Sequence, residues 1–171
     1  MKKIFKIFVL LFVCICLIGC GKKNKQEENK LQDDEVILRG IEYKLNQDDM
    51  SYGIKYKVAN NFRKTDTGNA INYFSENIDD QPYFVYRIFY YKNKSIDYAI
   101  KDTTTSYDKK YDTKVGDLNY TVVHFVNPIG VNVETNIYYY KHNKDTYAFC
   151  FTSNIDLSRL EDIFLKSIVY E

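Results

Sequence analysis

The sequence predicts an α+β domain, an antiparallel β-sheet with helices packed against it, and three patterns predict it. Alternating apolar and polar residues recur from Val36 onward, the period of strands with one wet face. One run, Tyr83 to Tyr91, is aromatic or aliphatic on both faces apart from Arg87, which marks a strand covered on both sides. Two stretches then change to helical spacing: Ile96, Ala99, Ile100 and Thr103 in one, and Leu157, Leu160, Ile163, Phe164, Ser167 and Ile168 in the other.

Taken in order, Val36 to Leu45 and Tyr52 to Val58 read as the strands of an N-terminal hairpin. The turn formers Asn46 to Ser51 join them and place Asp48 and Asp49 at the tip, where solvated turn carboxylates are expected. A loop at Thr65 to Gly68 precedes a short strand near Ala70 to Ser75, and a second loop ends at Gln81-Pro82. Tyr83 to Tyr91 is the central strand, in which Arg87 needs a partner, a rim position or an anionic ligand, because an unpaired buried charge is very unfavourable. After the turn Lys92-Asn93-Lys94, Ser95 can cap a helix that Thr103, Thr104 and Thr105 weaken by β-branching. Asn119 to Val126, Val131 to Lys141 and Thr146 to Ser153 form a meander, turning at Asn127 to Gly130 and at His142 to Asp145. In its last strand Thr146, Ala148, Cys150 and Thr152 share a small face, against which the C-terminal helix is expected to lie. Asp156, or a capping box of Ser158 with Glu161, starts that helix, with Arg159, Glu161, Asp162 and Lys166 on its polar side.

Ahead of the domain stands a leader. Lys2, Lys3 and Lys6 precede twelve apolar residues, Ile7 to Ile18, a run too short for the roughly 20 that a spanning helix needs and suited to a secretory signal. Leu17-Ile18-Gly19-Cys20 resembles a bacterial lipobox. That resemblance implies cleavage between Gly19 and Cys20, residues 1–19 being the signal peptide, and lipid attachment at the Cys20 thiol with fatty acyl chains such as palmitate. Two chains anchor stably where one binds marginally. Residues 20–35 then read as a lipidated, charged tether whose single large apolar residue is Leu31, and residues 36–171 as the one domain. The expected location is the cell membrane, lipid-anchored, facing the extracytoplasmic side.

The leader takes three of the 24 basic residues and none of the 23 acidic ones, so the mature chain stands near −2, without the basic stripe that nucleic-acid binding needs. Cys14 and Cys16 leave with it, so Cys150 is the domain's lone thiol and reads as a buried apolar residue rather than a nucleophile. His124 and His142 belong to no zinc-spaced cluster, and single glycines form no phosphate cradle. No cofactor and no metal is implied, and no motif supports an enzyme.

Tyr56-Lys57-Val58-Ala59-Asn60-Asn61-Phe62 resembles the strand and Pro-x-x-Trp of the PsbP family, with Ala59 where Pro is usual and Phe62 where Trp is usual. Asn154 to Val169 resembles that family's closing helix with its final Ser-Ile, and the order of elements agrees over Val36 to Glu171. Cystatin-like and NTF2-like α+β folds are the alternatives. The resemblance implies helices on both sheet faces, relatives that mostly bind proteins, and no catalytic set to transfer. The expected function is a non-catalytic binding or docking module for a protein or envelope partner, with contacts from Arg87, His124, Tyr138 and Tyr140. The alternative is a small surface ligand-binding lipoprotein or hydrolase with Arg87, His124 or a carboxylate in a cleft.

Overall fold

The computed structural model describes residues 32–38, 40–59, 61–75, 84–129 and 131–171. The leader, Gly19, Cys20 and most of the tether lie outside them. Among the described residues, eleven strands form two antiparallel sheets where the sequence leads one to expect a single sheet. The smaller sheet contains β1 (Glu35–Leu38), β2 (Ile41–Ser51), β3 (Ile54–Ala59) and β11 (Val169–Tyr170), in the order β1-β2-β3-β11. The larger contains β4 (Phe62–Asp66), β5 (Ala70–Ser75), β6 (Phe84–Tyr91), β7 (Lys109–Val115), β8 (Leu118–Ile129), β9 (Val131–His142) and β10 (Asp145–Ser153), in the order β4-β5-β6-β10-β9-β8-β7.

Helix α1 (Ile96–Thr103) and helix α2 (Ser158–Lys166) take opposite faces of the larger sheet. On one face Tyr86, Ile88, Tyr120, Val122, Phe149 and Phe151 form the main core with the smaller sheet and with Leu160, Phe164 and Leu165 of α2. On the other, Tyr91, Val123, Ile137, Tyr139, Ala148 and Cys150 pack with Ala99 and Ile100 of α1. Strand β6 is therefore interior and covered on both sides, as its two-faced apolar pattern predicts. The small face of β10 does receive a helix, but that helix is α1. Its aromatic face, Tyr147, Phe149 and Phe151, meets α2, because large rings fill the wider space under a layer shared by a helix and a second sheet.

The first hairpin turns later than expected. Asn46 to Ser51 continue β2, with Asp48 opposite Lys57 and Asp49 opposite Tyr56, and the chain reverses at Tyr52-Gly53. Both of these residues have positive φ, 53° and 74°, as a two-residue type I′ turn requires. The run from Val36 to Leu45 is likewise broken between Leu38 and Ile41, with Gly40 at φ 79°. Thr65 and Asp66 belong to β4 rather than to a loop. Strand β7, after the helix that Thr103 to Thr105 weaken, has no counterpart among the expected strands, and Asn127 to Ile129 extend β8 instead of turning.

Helix α1 is capped as predicted, the Ser95 hydroxyl accepting from the Tyr98 N–H at 3.1 Å. Helix α2 has neither expected start: Leu157 is its N-cap and makes no side-chain capping bond, Asp156 Oδ1 one residue earlier accepts from the Ser158 N–H at 2.9 Å, and the Glu161 side chain turns into the core.

A polar clasp joins the two sheets. Asp49 on β2 accepts from Tyr73 Oη of β5 and from Lys64 Nζ of β4, both at 2.7 Å, and Tyr73 also shares a hydrogen bond with Tyr56 at 2.7 Å. Burial works against the Asp49 charge, but the Lys64, Tyr73 and Met50 donors outweigh it and hold the carboxyl below its ordinary 3.8. A depressed acid stabilises the fold above its unfolded value, and that stabilisation is lost as pH falls through the folded one. Asp49→Ala is expected to cost about 1–3 kcal/mol in urea unfolding at neutral pH. The difference from wild type should narrow in acid, where the charge-linked part is lost and only the loss of the acceptor remains; an unchanged midpoint at neutral pH would remove the clasp from the stability account.

Candidate functional site

The residue that organises the site is Glu161. Its neighbours Leu157, Leu160, Phe164, Leu165 and Ile168 face the core, and Glu161 lies within that stripe, only 5% exposed, rather than on the polar side expected for it. Strand β9 supplies its partners, because Asn136 and Tyr138 alternate onto the same sheet face. Asn136 Nδ2 donates to Glu161 Oε1 at 3.0 Å, and Tyr138 Oη donates to Oε2 at 2.6 Å. His124 on β8 sits opposite Asn136 in register, and its Nδ1–H donates to Asn136 Oδ1 at 2.9 Å. Donors thus run from His124 through Asn136 and from Tyr138 onto one carboxylate.

Burial pushes the Glu161 carboxyl above its ordinary value; Tyr138, Asn136 and His124 pull it back, while Asp156 adds to the rise. Burial, then the Glu161 charge, pushes the Tyr138 phenol up. The Tyr111 phenol on β7 rises for the same two reasons. Beside the carboxylate opens a cleft of about 250 Å³, walled by Phe151 and Leu157 and edged by Glu134, Ser153, Asp156 and Ser158. Larger depressions of about 530 and 610 Å³ are shallower, and neither is lined by a carboxyl as buried as Glu161.

The structure brings two of the four predicted contact residues, His124 and Tyr138, into this one network. Tyr140 points to the same face but belongs to an aromatic cluster further along, with Tyr170 at 4.8 Å and Tyr120 at 5.5 Å between ring centroids. Arg87 is elsewhere: β6 turns it to the α1 face, opposite Asn72 and Cys150. Half-buried there, it forms no ion pair with any described carboxylate. Cys150 is buried on that same face, and burial pushes its thiol up, away from the thiolate a nucleophile needs. Asn136 and Glu161 are the functional candidates that the sequence reading missed.

What the arrangement can do is hold a carboxylate in place and present it to a small cleft. Among the described residues no group of three or more His, Cys, Asp or Glu side chains is placed to hold a metal ion.

The fold is that of PsbP-like, Mog1p-related proteins. The Ran-binding protein Mog1p of Saccharomyces cerevisiae superposes with a TM-score of 0.55 at 8% identity, over 74% of this chain and 96% of its own. A protein from Bacteroides thetaiotaomicron superposes with a TM-score of 0.54 at 10% identity over 70% of this chain. This chain spans 45% of that protein's length. No family profile and no curated protein matches the sequence.

Proposed function

We propose that this chain is a lipid-anchored, extracytoplasmic binding module that docks a protein or envelope partner. The observation that carries the reading is the shared fold: a scaffold of the same architecture is, by its name, a Ran-binding protein, which gives protein binding on this frame a precedent. What transfers is the class of ligand, a protein, and not Ran. The anchor rests on Leu17-Ile18-Gly19-Cys20 and the short apolar leader before it.

Crosslinking in intact cells, with Cys20→Ala as the control, tests both halves. Wild type is expected in the membrane fraction with one stoichiometric partner, and Cys20→Ala is expected to leave that fraction and lose the partner. Acyl-dependent fractionation that survives Cys20→Ala would overturn the anchor. A second reading, a small-ligand lipoprotein, is favoured by one observation, the cleft at Glu161. It predicts no stoichiometric protein in the same experiment.

A further inference from the structure

Glu161 carries an ionisable carboxyl into the core, where no described cation pairs with it. Among the described residues it forms no ion pair; its polar neighbours are the neutral donors Asn136 and Tyr138. The nearby helix cations are engaged elsewhere. Arg159 donates through Nε to the Glu35 carbonyl at 2.7 Å and through Nη2 to the Gln32 carbonyl at 2.9 Å, and Lys166 pairs with Asp162 at 2.7 Å. His124 pulls on the carboxyl electrostatically but hydrogen-bonds to Asn136 and not to Glu161. Buried charges are normally paired, since removing the partner of one is strongly destabilising. Glu161 is also one of the residues that line the cleft.

We propose that the Glu161 cleft binds a protonated alkyl amine or guanidinium, as the head of a free small cation or as the Lys or Arg side chain of a protein partner. The lining selects the sign: among the described residues it contains Glu134, Asp156 and Glu161 and no Lys or Arg, so an anion is repelled. The walls select the shape. Phe151 and Leu157 offer apolar surface to a methylene stem while the charged head meets the carboxylate, the division that Lys and Arg side chains make at protein surfaces. Volume selects the size, since about 250 Å³ lies below the roughly 300–1,000 Å³ of sites for drug-sized ligands and accommodates a side chain. Capacity remains as well: each Glu161 oxygen accepts one hydrogen bond from the protein, and a carboxylate offers about four acceptor positions. In its side-chain form the inference rests on the docking function proposed above and names the chemistry of the partner's contact.

The test is titration of the full-length, isotopically labelled chain in uncharged detergent, following the Asn136 side-chain amide by NMR. The probes are n-butylguanidinium, n-butylammonium, butyrate at equal ionic strength, and a blocked tetrapeptide with one central arginine. Both cations are expected to shift the amide saturably in the millimolar range or tighter, and butyrate is expected not to. Glu161→Gln, which keeps shape and hydrogen bonding but removes the charge, should weaken both cations at least about tenfold. Lys101→Ala, exposed on α1 across the larger sheet from the cleft, should leave them unchanged. A peptide binding about tenfold more tightly than butylguanidinium assigns the site to a partner's side chain, and equal binding assigns it to a free cation. Absence of a saturable shift, an equal response to butyrate, or undiminished binding by Glu161→Gln overturns the inference. The docking function fails separately: a crosslinked partner recovered equally by wild type and Glu161→Gln leaves docking in place and removes the cationic contact.

Discussion

Phe164→Ala is expected to lower the unfolding free energy by about 3–5 kcal/mol, the largest single-residue effect in the domain. Phe164 is fully buried on α2, and its ring meets Tyr86 at 5.0 Å, Tyr56 at 5.5 Å, Phe151 at 5.7 Å and Phe149 at 6.0 Å between centroids. Those four rings come from β6, β3 and β10, so one side chain joins both sheets to the helix. Truncation leaves a cavity bounded by rigid rings on strands, which cannot collapse inward as flexible aliphatic chains would. Each ring also loses an edge or tilted contact worth up to about a kcal/mol beyond area. Urea unfolding followed by circular dichroism measures the loss, with Phe164→Leu expected to recover more than half of it. A loss under about 1 kcal/mol for the alanine variant would mean that the smaller sheet and α2 are held by something other than this ring cluster.

Much of this architecture was legible because burial writes itself into residue period. The two-faced run in β6, the Ser95 cap, the stripe Ile96-Ala99-Ile100 and the meander β8-β9-β10 each follow from side-chain pattern alone. Other features left no such mark. Strand β7, KKYDTKV, is an edge strand, and its charges and exposed positions are what an edge carries to prevent pairing with other chains, so its pattern resembles a loop. Strand β11 has two residues and exists because the chain leaving α2 passes β3, a tertiary accident of position. The turn at Tyr52-Gly53 was hidden behind a more conspicuous run of Asn, Asp and Ser, whose polarity reflects the wet outer face of β2. The split into two sheets could not be read either, since a strand's pattern reports that it is covered and not which sheet covers it.

The site was half legible for a related reason. His124 and Tyr138 stand out in the sequence as polar or aromatic residues in strands, and strand register brings both to one face. Asn136 is two residues before Tyr138 and so shares that face, a signal available from period two alone. Glu161 was harder, because a glutamate flanked by Arg159 and Asp162 reads as surface. Helical spacing does give it away once Leu165 is counted: Leu157, Leu160, Phe164, Leu165 and Ile168 surround it on the helical wheel, and a lone charge inside such a stripe is where local patterning yields to function.

Glu161→Gln is expected to make the protein more stable than wild type at neutral pH, by an amount that shrinks to nothing in acid. The carboxyl's ordinary value is 4.5, and burial raises it in the folded state. A raised acid binds its proton more readily when folded, so wild type is most stable below the unfolded value and loses stability as pH rises from there through the folded one. Above that window the loss is constant. The glutamine variant has no such proton to release; its Oε1 can accept from Asn136 and its Nε2 can donate to Tyr138 Oη, so the network stays closed. His124, Tyr138, Tyr111 and Asp156 remain in both proteins, and the difference between the two curves isolates the one carboxyl. Glu161→Ala separates charge from hydrogen bonding. It leaves the Asn136 amide and the Tyr138 hydroxyl without their acceptor and is expected to cost about 1–3 kcal/mol at every pH at which the fold persists. Urea midpoints measured from acid to neutral pH decide the matter. A glutamine variant less stable than wild type at neutral pH would mean that the carboxylate is already compensated within the fold, and the demand for an outside cation would go with it.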